Sequence, residues 1–110
     1  MRVNLIKEQT IEDFVGNYVN SRSALRDWLS KLKYAEWIKP GDIQKTFNSA
    51  DLLGEESDRV VFDIGGNNYR KICKYWFGET RVHLYVKWIG THAEYTKLCK
   101  RGLQYSINDY

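Results

Sequence analysis

The spacing of apolar residues predicts two helices in the first third of the chain. One series has apolar positions at intervals of three and four residues: Ile11, Phe14, Val15, Tyr18 and Val19. Thr10 stands just before it and is predicted to supply the N-cap oxygen. A second series with the same spacing runs from Ala24 to Ala35 and must end before Pro40. Residues 2–7 alternate weakly and predict a short opening strand.

The second half of the chain has the pattern of an antiparallel sheet. A polar connection over residues 48–58 leads to three segments rich in β-branched and aromatic residues, at 59–64, 69–77 and 81–89. Glycine-containing turns separate them, which is typical of hairpins. After Gly90, Thr91 and Glu94 have the spacing of a capping box and predict a short helix to about Leu98, followed by a polar tail from about residue 100.

These elements predict one α+β domain over residues 1–110. Two N-terminal helices should pack on one face of an antiparallel sheet, with a short C-terminal helix after the last strand. A chain of 110 residues is long enough for one hydrophobic core. We expect four of its large residues to be buried there: Trp28, Leu32, Phe62 and Leu84.

Composition narrows the possible partners only slightly. Seventeen Lys and Arg against fourteen Asp and Glu give a net charge of +3, which permits nucleic-acid binding without requiring it. No segment has the ~18 apolar residues of a membrane span, and the start lacks a signal-peptide pattern. We therefore expect a cytoplasmic protein with no membrane contact. Cys73 and Cys99 lack metal-ligand spacing and are expected in or near the core, so neither a metal nor a cofactor is predicted.

Strand alternation divides the predicted sheet into two faces. If both turns hold an even number of residues, the core face contains Val82, Leu84, Val86 and Trp88. The opposite face then collects a set of mostly basic residues: Arg70, Lys74, Arg81, His83, Tyr85 and Lys87. Lys71 falls on the core face and is expected near an edge, or reaching out to water.

Two interpretations of the basic face remain open. The face could be the ordinary solvated side of an antiparallel sheet. It could instead bind RNA, because cations for phosphate lie beside rings that can stack on bases, such as Tyr85 and Trp76. On this second interpretation the RNA-binding candidates are Lys74, Arg81, His83 and Tyr85.

His92 and Tyr95 lie three residues apart, on one face of the last helix. A histidine at a helix start is more often a local hydrogen-bonding residue than a catalyst. Its position at the end of the strand that carries Lys87 makes it a candidate all the same. Glu94 is better explained as the partner of Thr91 in the capping box than as a catalytic carboxylate.

Residues 59–72 have the sequence RVVFDIGGNNYRKI, and residues 86–95 have the sequence VKWIGTHAEY. Both segments resemble the HigB family of messenger-RNA interferase toxins, which have a RelE-like fold. The resemblance extends over most of the chain to about Leu98. It implies cleavage of messenger RNA in the ribosomal decoding site, and neutralisation by a HigA-like antitoxin with a helix-turn-helix domain.

The resemblance also implies catalytic roles for Arg70, Lys87, His92 and Tyr95. Arg70 matches the family arginine after the turn, whereas Lys87 stands where the family often has arginine. A metal-free ribonuclease needs a group to take the 2′-OH proton, a donor for the leaving oxygen and cations for the phosphate. Arg70 and Lys87, adjacent across the last hairpin in one register, would supply the cations. His92 would act as general base or acid, and Tyr95 would stack on a base or orient the 2′-OH.

Other functions compatible with this fold remain open at this point. One is a RelE-like protein without nuclease activity that inhibits growth by binding a protein or RNA, and another is an inactive relative of such toxins. The presence of both His92 and Tyr95 favours the nuclease.

Overall fold

A computed structural model gives a five-stranded sheet with helices on both faces, and it describes residues 1–54 and 56–110. The strands are β1 (Arg2–Ile6), β2 (Asp51–Leu53), β3 (Arg59–Ile64), β4 (Tyr69–Phe77) and β5 (Arg81–Thr91), in the spatial order β1-β5-β4-β3-β2. The α+β class is confirmed. The sheet is mixed, however, because β1 pairs in parallel with β5 while the other pairs are antiparallel.

Within residues 1–54 and 56–110 the α-helices number four: α1 (Gln9–Asn17), α2 (Arg22–Lys33), α3 (Gly41–Thr46) and α4 (His92–Lys100). The predicted cap of the first helix is wrong. Thr10 is already inside the first turn, where its N–H donates to the Lys7 carbonyl at 3.0 Å, and no side chain caps the helix. The second helix ends at Lys33, and Ala35 is buried beyond it. β2 lies within the predicted polar connection, of which Glu55 falls outside the described residues.

The main core lies between α1, α2, α3 and one face of the sheet. The four predicted core residues, Trp28, Leu32, Phe62 and Leu84, are each no more than 4% exposed. Trp28 packs edge-on to Phe62, with ring centroids 5.2 Å apart. Cys73 is buried in this core and Cys99 is half-buried, and neither forms a disulfide.

Lys71 departs most from expectation, because it neither reaches water nor lies at a sheet edge. It is fully buried on β4, a central strand, with its ammonium over the face of the Trp28 ring. Within the described residues, its Nζ has no hydrogen-bond partner. Burial lowers the pKa of Lys71 to about 7, since transfer away from water penalises the charged form. The Trp28 ring of α2 covers the ammonium, so the side chain ends in the core rather than in water.

Candidate functional site

A β-bulge at Lys87 determines which residues of β5 face the surface. Val86 pairs with Cys73 and Trp88 pairs with Ile72, so Lys87 is one extra residue between two rungs of the ladder. The bulge moves Trp88 to the face opposite the main core, where the sequence pattern had not placed it. Ile89 takes its place in the main core.

A second apolar cluster therefore forms on the face that was expected to be open. It consists of Val61, Ile72, Trp88 and Leu98, and α4 contributes the last of these. Gly90 makes the close packing possible, because a Cβ at this position would collide with the Trp88 ring. The apolar cluster divides the polar residues of this face into two groups.

One group, the hairpin cluster, consists of Arg70, His92 and Tyr95 near the turn between β3 and β4. The Arg70 guanidinium is 3.0 Å from the Asp63 carboxylate. It also donates to Asn67 Oδ1 at 3.2 Å and to the Gly66 carbonyl at 3.3 Å. At 8% exposure, Arg70 is largely occupied with holding this turn.

His92 and Tyr95 lie on α4, which begins immediately after β5. The capping box is confirmed: Thr91 Oγ1 accepts from the Glu94 N–H at 3.2 Å, and Glu94 Oε1 accepts from the Thr91 N–H at 2.8 Å. His92 is exposed. Tyr95 is half-buried with its ring 6.1 Å from that of Trp88. Burial, followed by a hydrogen bond with Cys99, raises the pKa of Tyr95 well above its usual range. Its hydroxyl therefore stays un-ionised and can donate a hydrogen bond.

The other group, the cationic cluster, consists of Lys7, Arg59, Lys74 and Lys87 on the far side of the apolar cluster. Burial lowers the pKa of Lys87, and the charges of Arg59, Lys74 and Lys7 lower it further. None of the four takes part in a salt bridge within the described part of the chain. Four positive charges thus lie near one another, and none is paired with a carboxylate of the described residues, which is the electrostatic arrangement of an anion-binding site.

Aromatic and basic side chains continue this surface along β4 and β5. Trp76 is 63% exposed, and its ring lies 5.7 Å from that of His83 on the neighbouring strand. Tyr85 lies beside the Lys87 ammonium, which is 5.7 Å from its ring centroid. Arg81 is exposed at the start of β5.

The structure does not bring Arg70 and Lys87 together as the sequence reasoning expected. Arg70 pairs with Gly90, whereas Lys87 lies before Trp88 on the same strand, with the apolar cluster between them. The predicted adjacency assumed a regular hairpin, and the bulge removes that regularity.

Sequence reasoning missed Lys7 and Arg59 as members of the cationic cluster. Arg59 is opposite Lys74 in the β3–β4 register, so hairpin parity could have placed it there. Lys7 follows β1, whose parallel pairing with β5 leaves no local signal in the sequence.

The described residues contain neither a cluster of metal-ligating side chains nor a helix suited to a membrane. Over residues 1–54 and 56–110, no group of three or more His, Cys, Asp or Glu side chains has the geometry to hold a metal ion. In the same residues, no helix has the length and apolar character needed to cross a membrane.

Comparison with known proteins identifies one family. Residues 21–98 match the family model of HigB_toxin, the RelE-like toxic component of a toxin-antitoxin system. The chain is 30% identical over 98 residues to the mRNA interferase HigB of Escherichia coli O6:H1, which covers 89% of this chain and 93% of that protein. It is 24% identical over 93 residues to the mRNA interferase toxin HigB of E. coli strain K12, covering 84% of this chain and 88% of that protein. The mRNA interferase HigB of Shigella flexneri matches to the same extent.

Proposed function

The chain belongs to the HigB toxin family, the RelE-like toxic components of toxin-antitoxin systems, and from that premise we propose that it is an endoribonuclease that cleaves messenger RNA. The observation that carries this proposal is the cationic cluster. Its four positive charges have no carboxylate partner among the described residues, and the exposed Trp76 ring lies on the same face of the sheet, two residues after Lys74. Such a surface suits a single strand, because phosphates bind the cations while bases stack on the ring.

We propose that the two polar groups of this face divide the chemistry. Lys87 binds a phosphate of the RNA strand that crosses both groups, because its cluster is the one with unpaired positive charge. His92, exposed at the start of α4, takes the proton of the ribose 2′-OH as that oxygen attacks the phosphorus, and the 5′-oxygen leaves with a proton from solvent water. Tyr95 donates a hydrogen bond from its un-ionised hydroxyl. Arg70 holds the turn beneath them through Asp63 and Asn67, and so acts as a positioning residue.

The outer residues of the surface bind the rest of the strand. Lys74 and Arg81 contact phosphates, and His83 and Tyr85 support stacking together with Trp76. These contacts are few, and a net charge of +3 gives little affinity for free RNA. We therefore propose that cleavage depends on the ribosome, which holds the messenger in the decoding site and supplies the alignment that 2′-OH attack requires.

A partner and a compartment complete the proposal. Membership of a toxin-antitoxin family implies an antitoxin. We propose that it is a HigA-like protein with a helix-turn-helix domain and that the toxin acts in the cytoplasm. We further propose that cleavage needs no metal ion, because His92, Tyr95 and the cations can supply proton transfer and charge stabilisation.

Incubation of the purified protein with one messenger RNA, alone and on translating ribosomes, tests this function. Cleavage should appear with ribosomes and should not need zinc or manganese, which EDTA removes while added magnesium keeps the ribosomes intact. His92→Ala should reduce it by roughly 10²- to 10⁴-fold, the range for a lost general acid or base, without changing the melting temperature. Absence of cleavage by the folded wild-type protein under both conditions would refute the nuclease. Efficient, site-selective cutting of free RNA would refute ribosome dependence alone.

A further inference from the structure

The last residues of the chain are not a loose polar tail. Residues 103–110, here called the strap, turn back from α4 across the same face of the sheet. Leu103 and Ile107 pack against the second apolar cluster. The strap then passes directly beside Lys87.

The strap bonds to Lys87 in two ways. The Lys87 ammonium donates to Asn108 Oδ1 at 2.9 Å. The Asp109 N–H donates to the Lys87 carbonyl at 3.0 Å. A bulged residue is left out of the regular ladder, so the bulge in β5 makes the backbone of Lys87 accessible to the strap.

Arg59 is held by the same segment. Its Nη1 donates to the Ile107 carbonyl at 2.7 Å and to the Gln104 carbonyl at 3.3 Å. Arg59 is only 6% exposed, and burial lowers its pKa. A buried guanidinium needs such acceptors, and the strap supplies them.

All these acceptors are uncharged. They are two main-chain carbonyls and one amide oxygen, so they orient the cations without neutralising them. Asp109, the acidic residue of the strap, contributes only its backbone N–H, and its carboxylate forms no salt bridge within the described chain. An ammonium has three donors, so Asn108 leaves two of them for an incoming anion. A segment that blocked the site by imitating RNA would instead place a carboxylate on Lys87.

We infer that the strap is a positioning element for the RNA backbone, in which Asn108 holds the Lys87 ammonium at full charge for a phosphate. This inference rests on the proposed function, because it assigns Lys87 to the phosphate of the messenger. It extends the functional site to Asn108 and to the main chain of Gln104 and Ile107. All three lie beyond residues 21–98, which match the family model.

The decisive substitution is Asn108→Asp, which keeps the size and the acceptor but adds a negative charge. A purely structural contact would tolerate it, because aspartate binds an ammonium at least as well as asparagine does. On our inference, ribosome-dependent cleavage falls by roughly tenfold, since part of the Lys87 charge is cancelled. Asn108→Ala should lower cleavage by only about threefold, the loss expected from one modest hydrogen bond. Ser106→Ala, at an exposed residue of the same strap, is the matched control and should leave the rate unchanged.

The pKa of the Lys87 ammonium, measured by NMR, provides a second readout independent of catalysis. It should rise in Asn108→Asp relative to the wild type. Equal cleavage by Asn108→Asp and wild type would overturn the inference, and so would an unchanged Lys87 pKa. Faster cleavage by Asn108→Ala would also overturn it, because the strap would then be a block. If the wild type itself failed to cleave, the proposed function would fail, while the NMR measurement would still decide whether Asn108 holds Lys87.

Discussion

Lys71 and Lys87 lie on adjacent strands of one sheet but on surfaces of opposite character. Lys71 is enclosed in the main core, over the Trp28 ring, with no hydrogen-bond partner among the described residues. Lys87 is half-buried on the other face, donates to Asn108 and lies among three further cations. Burial lowers the pKa of both lysines, yet only Lys87 can meet a ligand.

The comparison shows that the availability of a cation depends on what packs against it. Lys71 is shielded by aromatic rings, Lys87 is held by a neutral amide, and Arg70 is paired with the Asp63 carboxylate. Only the arrangement at Lys87 leaves a positive charge that is both present and accessible to a ligand. Substitutions of Lys71, Lys87 and Arg70 should separate effects on stability from effects on cleavage. A substitution of Arg81, at the outer end of the surface, provides a small effect for comparison.

The largest effect should come from Lys71→Met. The pKa of Lys71 is near 10.5 in the unfolded chain and about 7 in the folded chain. At pH values between these two, protonation of Lys71 favours the unfolded state. At about 1.4 kcal/mol per pKa unit, the substitution should raise the free energy of unfolding at pH 7 by about 4 kcal/mol. Cleavage should not change. Denaturant unfolding measures the effect, with Lys74→Met on the exposed side of the same strand as control.

The pH dependence provides a sharper form of this prediction. The pKa of Lys71 is lower in the folded chain than in the unfolded chain. The free-energy cost of burying Lys71 is therefore absent above about pH 10.5, grows as the pH falls and is complete below about pH 7. The stability advantage of Lys71→Met over wild type should therefore shrink between pH 7 and pH 9. A constant difference across that window would mean that Lys71 is not buried as a charged or titrating group.

Lys87→Met applies the same substitution to the other face. We expect cleavage to fall by roughly 10²-fold, because loss of this phosphate contact misplaces the RNA strand on which His92 acts. The melting temperature should change little, because the side chain has a single hydrogen bond to lose. Lys87→Arg should recover much of the rate. Normal cleavage by Lys87→Met would mean that Lys87 has no role in activity, and Lys71 and Lys87 would then differ only in their effects on stability.

Arg70→Ala should act on the fold more than on the chemistry. It removes the ion pair with Asp63 and the bonds that hold the turn, at a cost of about 1.5–3 kcal/mol for hydrogen bonds to a charged group. Thermal unfolding of Arg70→Ala, Asp63→Ala and the double variant would reveal the coupling between the two residues. A stable Arg70→Ala protein with strongly reduced cleavage would mean that Arg70 acts directly in catalysis.

Arg81→Ala should have the smallest effect. Arg81 is exposed at the start of β5, away from His92, and should make one outer phosphate contact. Binding should weaken modestly, and the slope of log affinity against log salt should decrease by about 0.7 for a single strand. The cleavage step itself should be unaffected. A slope equal to that of the wild type would remove Arg81 from the RNA-binding surface.

Local patterns predicted much of the fold. The capping box depends on two residues only three positions apart, Thr91 and Glu94. The buried positions of Trp28 and Leu84 follow from helical and strand periodicity. The bulge at Lys87 could not be predicted, because an extra residue changes the face of Trp88 without altering the composition of the strand.

The candidate site was less predictable, since distant segments assemble it. Its basic residues on β4 and β5 could be identified from alternation. The contribution of Lys7 depends on the parallel pairing of β1, and that of Asn108 depends on the return of the strap across the sheet. No pattern within either segment specifies these contacts, because both are formed between parts of the chain far apart in sequence.

The pairing of β1 with β5 also has a consequence for the order in which the protein matures during synthesis. The register joins Val3 to Val82 and Leu5 to Leu84, so the first strand made must wait for the last. At about 5 to 20 residues per second, that wait lasts several seconds. The sheet closes only when nearly the whole chain has emerged, and the strap that holds Lys87 comes later still. The surface around Lys87 is therefore incomplete in a nascent chain until these late segments have been made.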